Sequence, residues 1–372
     1  MTLLRRILAL LLVTVLGSLG LGSVAASAAG AEATRAADYI VSTFTTGEKP
    51  YGEVGSAADS LIALAAADDG SHADQIASIL DFLRTNAADY VTPDASGATG
   101  AAKLALAAAA AKADAKDFGG VDLVAKVKAG IGADGSFGSY PGPFSSGLAM
   151  VALARNNEQV PDPMVDFLLS YAEPRSGGTG GGFACATYPF KADGDCPAAD
   201  PDSTAMAVLG LQASGAEKAT KAAADALDWL AANQQSDGSW KNYSPVNSTG
   251  LAGPLFPVGS EQATKATAYV VSQQLDSGAL STGVDDKANL LATQQGMFAL
   301  TGHTYASVGS DAAPSASPTP TAGDTTTAAP SPQPSAPAAP TGTDPAVGWT
   351  VGALLLLALG GAAVVAARNR TP

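Results

Sequence analysis

The chain has 372 residues, with 34 acidic against 20 basic side chains, two cysteines and two histidines. A net charge of −14 excludes the basic face that nucleic-acid recognition needs, and two cysteines exclude a disulfide-rich scaffold or a Cys-only zinc site. Charged residues make up 15 % of the chain, against a usual ~25 %; Ala and Gly take their place, which lets helices approach one another closely.

Residues 1–28 read as a secretory signal. Arg5 and Arg6 form its positive start, Ile7 to Leu21 its apolar stretch and Ala26-Ser27-Ala28 a small-residue cleavage site. From 29 to 309 one unit repeats six times: a helix-period stretch, a Gly-containing turn with an aromatic, then a helix of small residues ending in Ala-Leu or similar. The terminal leucines Leu64, Leu106, Leu153, Leu211, Leu255 and Leu300 lie 42, 47, 58, 44 and 45 residues apart, and the long interval holds an inserted loop. Asp59, Ser145, Asp202, Asn247 and Asn289 stand at the predicted starts of small-residue helices, where a side-chain oxygen can satisfy orphan N–H groups. The preceding helices carry apolar residues three and four apart, as in Ile76, Ile79, Leu80 and Leu83. No segment alternates as a strand, so the fold class is all-α, with about twelve helices in six hairpins.

The insertion before the fourth repeat contains a glycine run, Gly177 to Gly182, broken only by Thr179. It is no phosphate loop, because no strand precedes it and no Lys-Ser/Thr follows. Cys185 and Cys196 flank ten residues, and in an oxidising compartment a disulfide between them is expected. Asp193, Asp195, Asp200 and Asp202 crowd the same loop. Oxygen ligands of this kind suit Ca²⁺, and a solvated acidic loop is the alternative; no resident metal or cofactor is assigned.

Residues 310–346 are almost entirely Pro, Ala, Ser and Thr, without Lys or Arg, and hold nine of the chain's 23 prolines. Such a segment cannot bury enough apolar surface to fold and reads as a disordered linker with a reach on the order of 100 Å. Val347 to Ala367 is 21 residues without a charge, matching the ~20 of a membrane-spanning helix. Arg368 and Arg370 in the tail 368–372 leave the C-terminus cytoplasmic and the repeats outside. Ala338-Ala339-Pro340-Thr341-Gly342 resembles a sortase signal with Ala in place of the first Leu, so wall linkage is the alternative to a single-pass membrane anchor.

The turns carry a family likeness. Asn233-Gln234-Gln235-Ser236-Asp237-Gly238-Ser239-Trp240 resembles the Gln-Trp motif of terpene cyclases, Ala133-Asp134-Gly135-Ser136-Phe137-Gly138 is a second copy, and Gln273 to Leu280 is a worn third. With Asp202-Ser203-Thr204-Ala205, they make residues 31 to 305 similar to the terpenoid-cyclase and protein-prenyltransferase superfamily. The resemblance implies an α/α toroid of six hairpins, small-residue helices inside and the others outside, with Trp240 and Phe137 filling the seams. Closure into a ring also removes the open ends of a solenoid.

Fold leaves function open. A zinc prenyltransferase needs Asp, Cys and His together, and neither His72 nor His303 stands near a cysteine at ligand spacing. A thioester domain needs Cys-Gly-Glu-Gln, which is absent. Class II cyclases protonate an alkene or epoxide with the middle Asp of a DxDD-Thr-Ala motif. Asp200-Pro201-Asp202-Ser203-Thr204-Ala205 resembles it, with Ser203 for the last Asp, which would make Asp202 the general acid. Two points weigh against that. Asp202 can equally be the N-cap of the fourth inner helix, and an aromatic content of 6 % is low for a cavity that stabilises carbocations. Asp285 to Gln295 resembles a stretch of the cobalamin-carrying transcobalamin-type toroids, making cobalamin a possible ligand. The reading adopted is a monomeric, membrane-anchored, extracytoplasmic toroid that is not an enzyme. It binds a small molecule or cell-envelope partner at an open face formed by Tyr140, Phe144, Tyr188, Trp240, Tyr243, Asn247 and Asn289, with Asp202 nearby. A class II cyclase and a structural surface domain are the alternatives.

Overall fold

The computed structural model describes residues 30–67, 70–92, 95–194 and 196–310. The predicted signal segment, the linker beyond Ser310 and the span 347–367 lie outside the described residues. Within them no helix is long and apolar enough to cross a membrane. Among the described residues twelve α-helices alternate between two rings. The outer ones are α1 (30–42), α3 (Ala73–Tyr90), α5 (Leu123–Ala129), α7 (Asp162–Leu169), α9 (Glu217–Asn233) and α11 (Glu261–Ser272). The inner ones are α2 (Val54–Ala67), α4 (Ala95–Ala110), α6 (Pro143–Arg155), α8 (Pro201–Ser214), α10 (Pro245–Ala252) and α12 (Leu290–Thr301). Each inner helix packs on the next, and α12 packs back on α2, so the ring closes as an α/α toroid.

The two rings differ in composition because they differ in burial. Ser145–Leu153 of α6, Ser203–Leu211 of α8, Val246–Ala252 of α10 and Ala292–Leu300 of α12 are buried without interruption. A helix enclosed on all sides has no polar face to show. Small residues then set how close the backbones come. A Cβ on Gly147 would lie 2.2 Å from the Met206 carbonyl oxygen, and one on Gly250 would lie 2.2 Å from that of Gln295. Outer helices bury one stripe only, such as Ala219, Ala223, Ala226 and Leu230 of α9.

The turns between outer and inner helices lock neighbouring hairpins together. Trp240 is 1 % exposed, stacks on Phe256 and donates its indole N–H to the Leu230 carbonyl at 2.7 Å, while Phe137 is fully buried. The Gln234 amide donates to the Gly238 carbonyl of its own turn and to the Gln262 carbonyl of α11. The worn copy repeats this closely: Gln274 donates to the carbonyls of Gly278 and of Glu32 in α1, which ties the last hairpin to the first. Gly135, Gly181, Gly238 and Gly278 all have positive φ and sit against backbone of the next outer helix. Gly238→Ala therefore strains the left-handed backbone and drives a Cβ to 2.3 Å from the Lys265 carbonyl oxygen. The expected loss is on the order of 2–4 kcal/mol, to be read as a lowered midpoint in denaturant unfolding.

Gly181 exposes a turn that the glycine run had concealed. The Phe183 N–H donates to the Thr204 hydroxyl of α8 at 2.9 Å, as Trp240 does to Thr249 of α10 and Leu280 to Thr293 of α12. The segment before Phe183 is thus a further copy of the seam turn, with the insertion carrying Cys185–Cys196 placed between its plug and its helix. The two cysteines are bonded, with Cα atoms 5.5 Å apart. At the far end of the barrel, residues 302–310 cross the C-terminal ends of the inner helices. Arg155 fastens them by donating to the carbonyls of Ala109, Tyr305 and Val308, and the buried Tyr305 ring packs edge-on against Phe298.

Candidate functional site

With that end covered, the accessible face is the one carrying the N-termini of the inner helices. The caps there correct the predicted helix starts. Asn289 is the N-cap of α12, its side chain accepting from Ala292 N–H at 2.9 Å. The other starts lie further upstream. Asp59 is in the middle of α2, Ser145 follows the Gly142 cap of α6, and Asn247 follows the Ser244 cap of α10. Most important, the cap of α8 is Asp200, which accepts from Ser203 N–H at 2.8 Å, so Asp202 is not the cap. Pro201 at the first helical position fixes this register, since its missing N–H is one that no helix uses there.

Released from capping, the Asp202 side chain turns toward α10. Its Oδ2 accepts from the Asn242 amide at 2.8 Å, and its Oδ1 is sealed from solvent without a partner. Burial is the main influence on this carboxyl, and the Asp200 charge adds to it. Together they push it up to about 7, against the opposing effect of the nearby Ser248 hydroxyl and of the Asn242 hydrogen bond. Asp200 is also raised, again by burial, with Ser203 opposing. The pair is therefore poised so that Asp202 can hold a proton near neutral pH while its neighbour caps the helix.

The remaining predicted residues separate into two groups. Tyr140, Tyr188 and Tyr243 are exposed and lie in the segments that lead into α6, α8 and α10; Phe144 is half-buried in the first turn of α6. Tyr140 and Tyr243 are 70 % and 68 % exposed, which leaves their rings free for a partner. Val284 is 67 % exposed in the segment ahead of α12. Trp240, Asn247 and Asn289 do not belong to that open surface. Trp240 fills a seam, Asn247 is 5 % exposed with its Oδ1 accepting from the Ser244 hydroxyl, and Asn289 is occupied as a cap. Each carries a polar atom that the fold itself consumes.

Asp193 lies in the insertion, Asp195 lies outside the described residues, and Asp200 and Asp202 are engaged as above. Among the described residues no group of three or more His, Cys, Asp or Glu could hold a metal ion.

Two features of the interior were missed in the sequence. Lys103 of α4 and Asp59 of α2 form a buried ion pair at 2.7 Å, 44 residues apart. That is one repeat length, and the spacing was a usable signal. Nearby, Tyr305 is pushed up strongly by burial, with the Asp59 charge adding to the shift and Gln295 opposing it.

Residues 143–258, from α6 through the Gln-Trp turn and α10, match the family model of the squalene-hopene cyclase C-terminal domain. Over that stretch, less than half of the chain, the toroid is similar to the terpenoid-cyclase and prenyltransferase-like superfamily. No curated protein matches the chain. The matched stretch contains Asp200, Asp202 and Trp240.

Proposed function

We propose that this chain is an extracytoplasmic, membrane-tethered toroid that binds a small molecule or a cell-envelope partner at the inner-helix N-terminal face, without turnover. The observation that carries the reading is the contrast between the two surfaces of the ring. The inner helices are buried over two or more turns each, so the bore is packed with side chains. Tyr140, Tyr188, Tyr243 and Val284, by contrast, are exposed in the segments that lead into inner helices, and Val258 is exposed in the connection from α10 to α11. Apolar side chains gathered on one rim favour association, where the same residues scattered singly would not. The disulfide fits an oxidising compartment, in keeping with the predicted signal and anchor.

Native mass spectrometry of residues 29–309, secreted with the chain's own signal, tests this. The expected result is an adduct of defined mass that is lost on combining Tyr140→Ala with Tyr243→Ala while the unfolding midpoint stays within 1–2 °C, as for ordinary surface substitutions (about ±0.5 kcal/mol). A clean apo mass from native hosts and no loss on substitution would remove the reading.

One observation favours a second function. Asp202 has the burial, the unpartnered oxygen and the raised pKa of a carboxylic general acid, at the position matching the acid of class II cyclases. On that reading Asp202→Asn abolishes conversion of a polyprenyl substrate by the folded protein. On the binding reading no conversion is seen with either form.

A further inference from the structure

A crevice opens on the same face, between the end of α9, the Gln-Trp turn and the insertion. It has a volume of about 150 Å³ and is lined by Trp229, Asn233, Gln235 and Lys241, with Ala199 and Pro201 on the insertion side. A space of this order takes one six-membered ring, far less than a polyprenyl chain.

Two donors in it are without an acceptor among the described residues. Trp240 commits its indole N–H to the Leu230 carbonyl, but the Trp229 indole N–H has no acceptor among the described residues. The Lys241 ammonium makes no ion pair within 4 Å among the described residues, although it lies near enough to Asp237 of the same turn to help lower that carboxyl. Asn233 and Gln235 use their amide N–H groups on the carbonyls of Trp229 and Asn233, which leaves their side-chain oxygens without a donor among the described residues. The glycine run supports the indole from behind. A Cβ on Gly182 would lie 2.6 Å from the Trp229 ring, so the absence of a side chain lets the backbone pack flat against it.

A partly exposed indole edged by amide oxygens, an unused indole donor and an ammonium suits a ligand of mixed apolar and polar character. The ligand must have an apolar face, several hydroxyls and a negative charge. We propose that this crevice binds a saccharide ring bearing a carboxylate, a hexuronic-acid type of unit. Trp229 stacks on the ring, Asn233 and Gln235 accept from its hydroxyls, and Lys241 meets the carboxylate. This rests on the binding reading of the same face and names its ligand class.

The test is a titration of the full chain with methyl glucuronide, methyl glucoside and acetate, followed by tryptophan fluorescence and by ligand-observed saturation-transfer NMR. The glucuronide is expected to bind saturably and at least tenfold more tightly than the glucoside. Lys241→Gln should reduce it to the glucoside level, and Trp229→Phe should weaken both sugars and remove the fluorescence change. No saturable response to either sugar overturns the proposal, and so does acetate binding as tightly as the glucuronide. Should the chain retain a different adduct in native mass spectra while ignoring both sugars, the ligand class fails and the binding face stands. Absence of both signals removes the two together.

Discussion

Asp202→Asn is expected to stabilise the toroid at pH 8 by about 2–4 kcal/mol and to flatten its stability between about pH 4 and 7. The carboxyl is raised to about 7 in the fold, chiefly by burial, whereas an unfolded chain releases the same proton near the ordinary value of about 3.9. Between those values the folded state holds a proton that the unfolded state has lost. Stability therefore falls as pH rises through this window and levels off above the folded value. Asn keeps the hydrogen-bonding contact to Asn242 and never ionises, so its advantage is absent near pH 4 and complete above 7. Thermal unfolding of both forms at pH 4.5 and pH 8 measures it. A variant less stable than the parent at pH 8 would mean that the ionised carboxylate is stabilising, and that the site is wetter than the unpartnered Oδ1 indicates.

The second large effect concerns the ion pair inside the barrel. Lys103→Met is expected to cost about 3–5 kcal/mol, because it leaves the Asp59 carboxylate buried without its cation. The side chains of Lys103 and Asp59 are only 10 % and 11 % exposed. Burial alone would lower the Lys103 ammonium, but the Asp59 and Tyr90 charges and the 2.7 Å hydrogen bond to Asp59 outweigh it and leave it raised. Removing both charges, as in Lys103→Met with Asp59→Leu, should recover most of the loss, since well-packed apolar pairs often replace buried ion pairs without penalty. A denaturant double-mutant cycle gives the coupling directly. Simple additivity of the two single losses would show that the charges are solvated independently.

Both residues show why the candidate site was only partly legible. The period of about 45 residues, the small-residue helices and the Gly-aromatic turns are local patterns, and each corresponds to a packing need that the ring imposes. Trp240 and Phe137 were readable as seam fillers for that reason. Helix starts were less readable, because Asp, Ser and Asn occur both at caps and one turn further in. Asn289 caps its helix. Asp202, two residues from the true cap, looks the same in one dimension but points elsewhere. The seam turn at Phe183 was hidden by a different cause. The disulfide-closed insertion separates it from Thr204 by 21 residues, where the regular copy Trp240–Thr249 has nine.

The all-α class, the six hairpins and the bonded partner of each cysteine could be read in one dimension, since these depend on periodicity and on having only two thiols. Tertiary structure alone decided which polar atoms remain for a ligand. It assigned Trp240, Asn247 and Asn289 to the scaffold, left Trp229 and Lys241 with unused donors, and placed Asp202 where burial outweighs its charge. The physical reason is that burial and hydrogen-bond satisfaction belong to pairs of residues brought together across helices. A side chain's chemistry is written in its residue type, but its availability depends on the neighbours it meets.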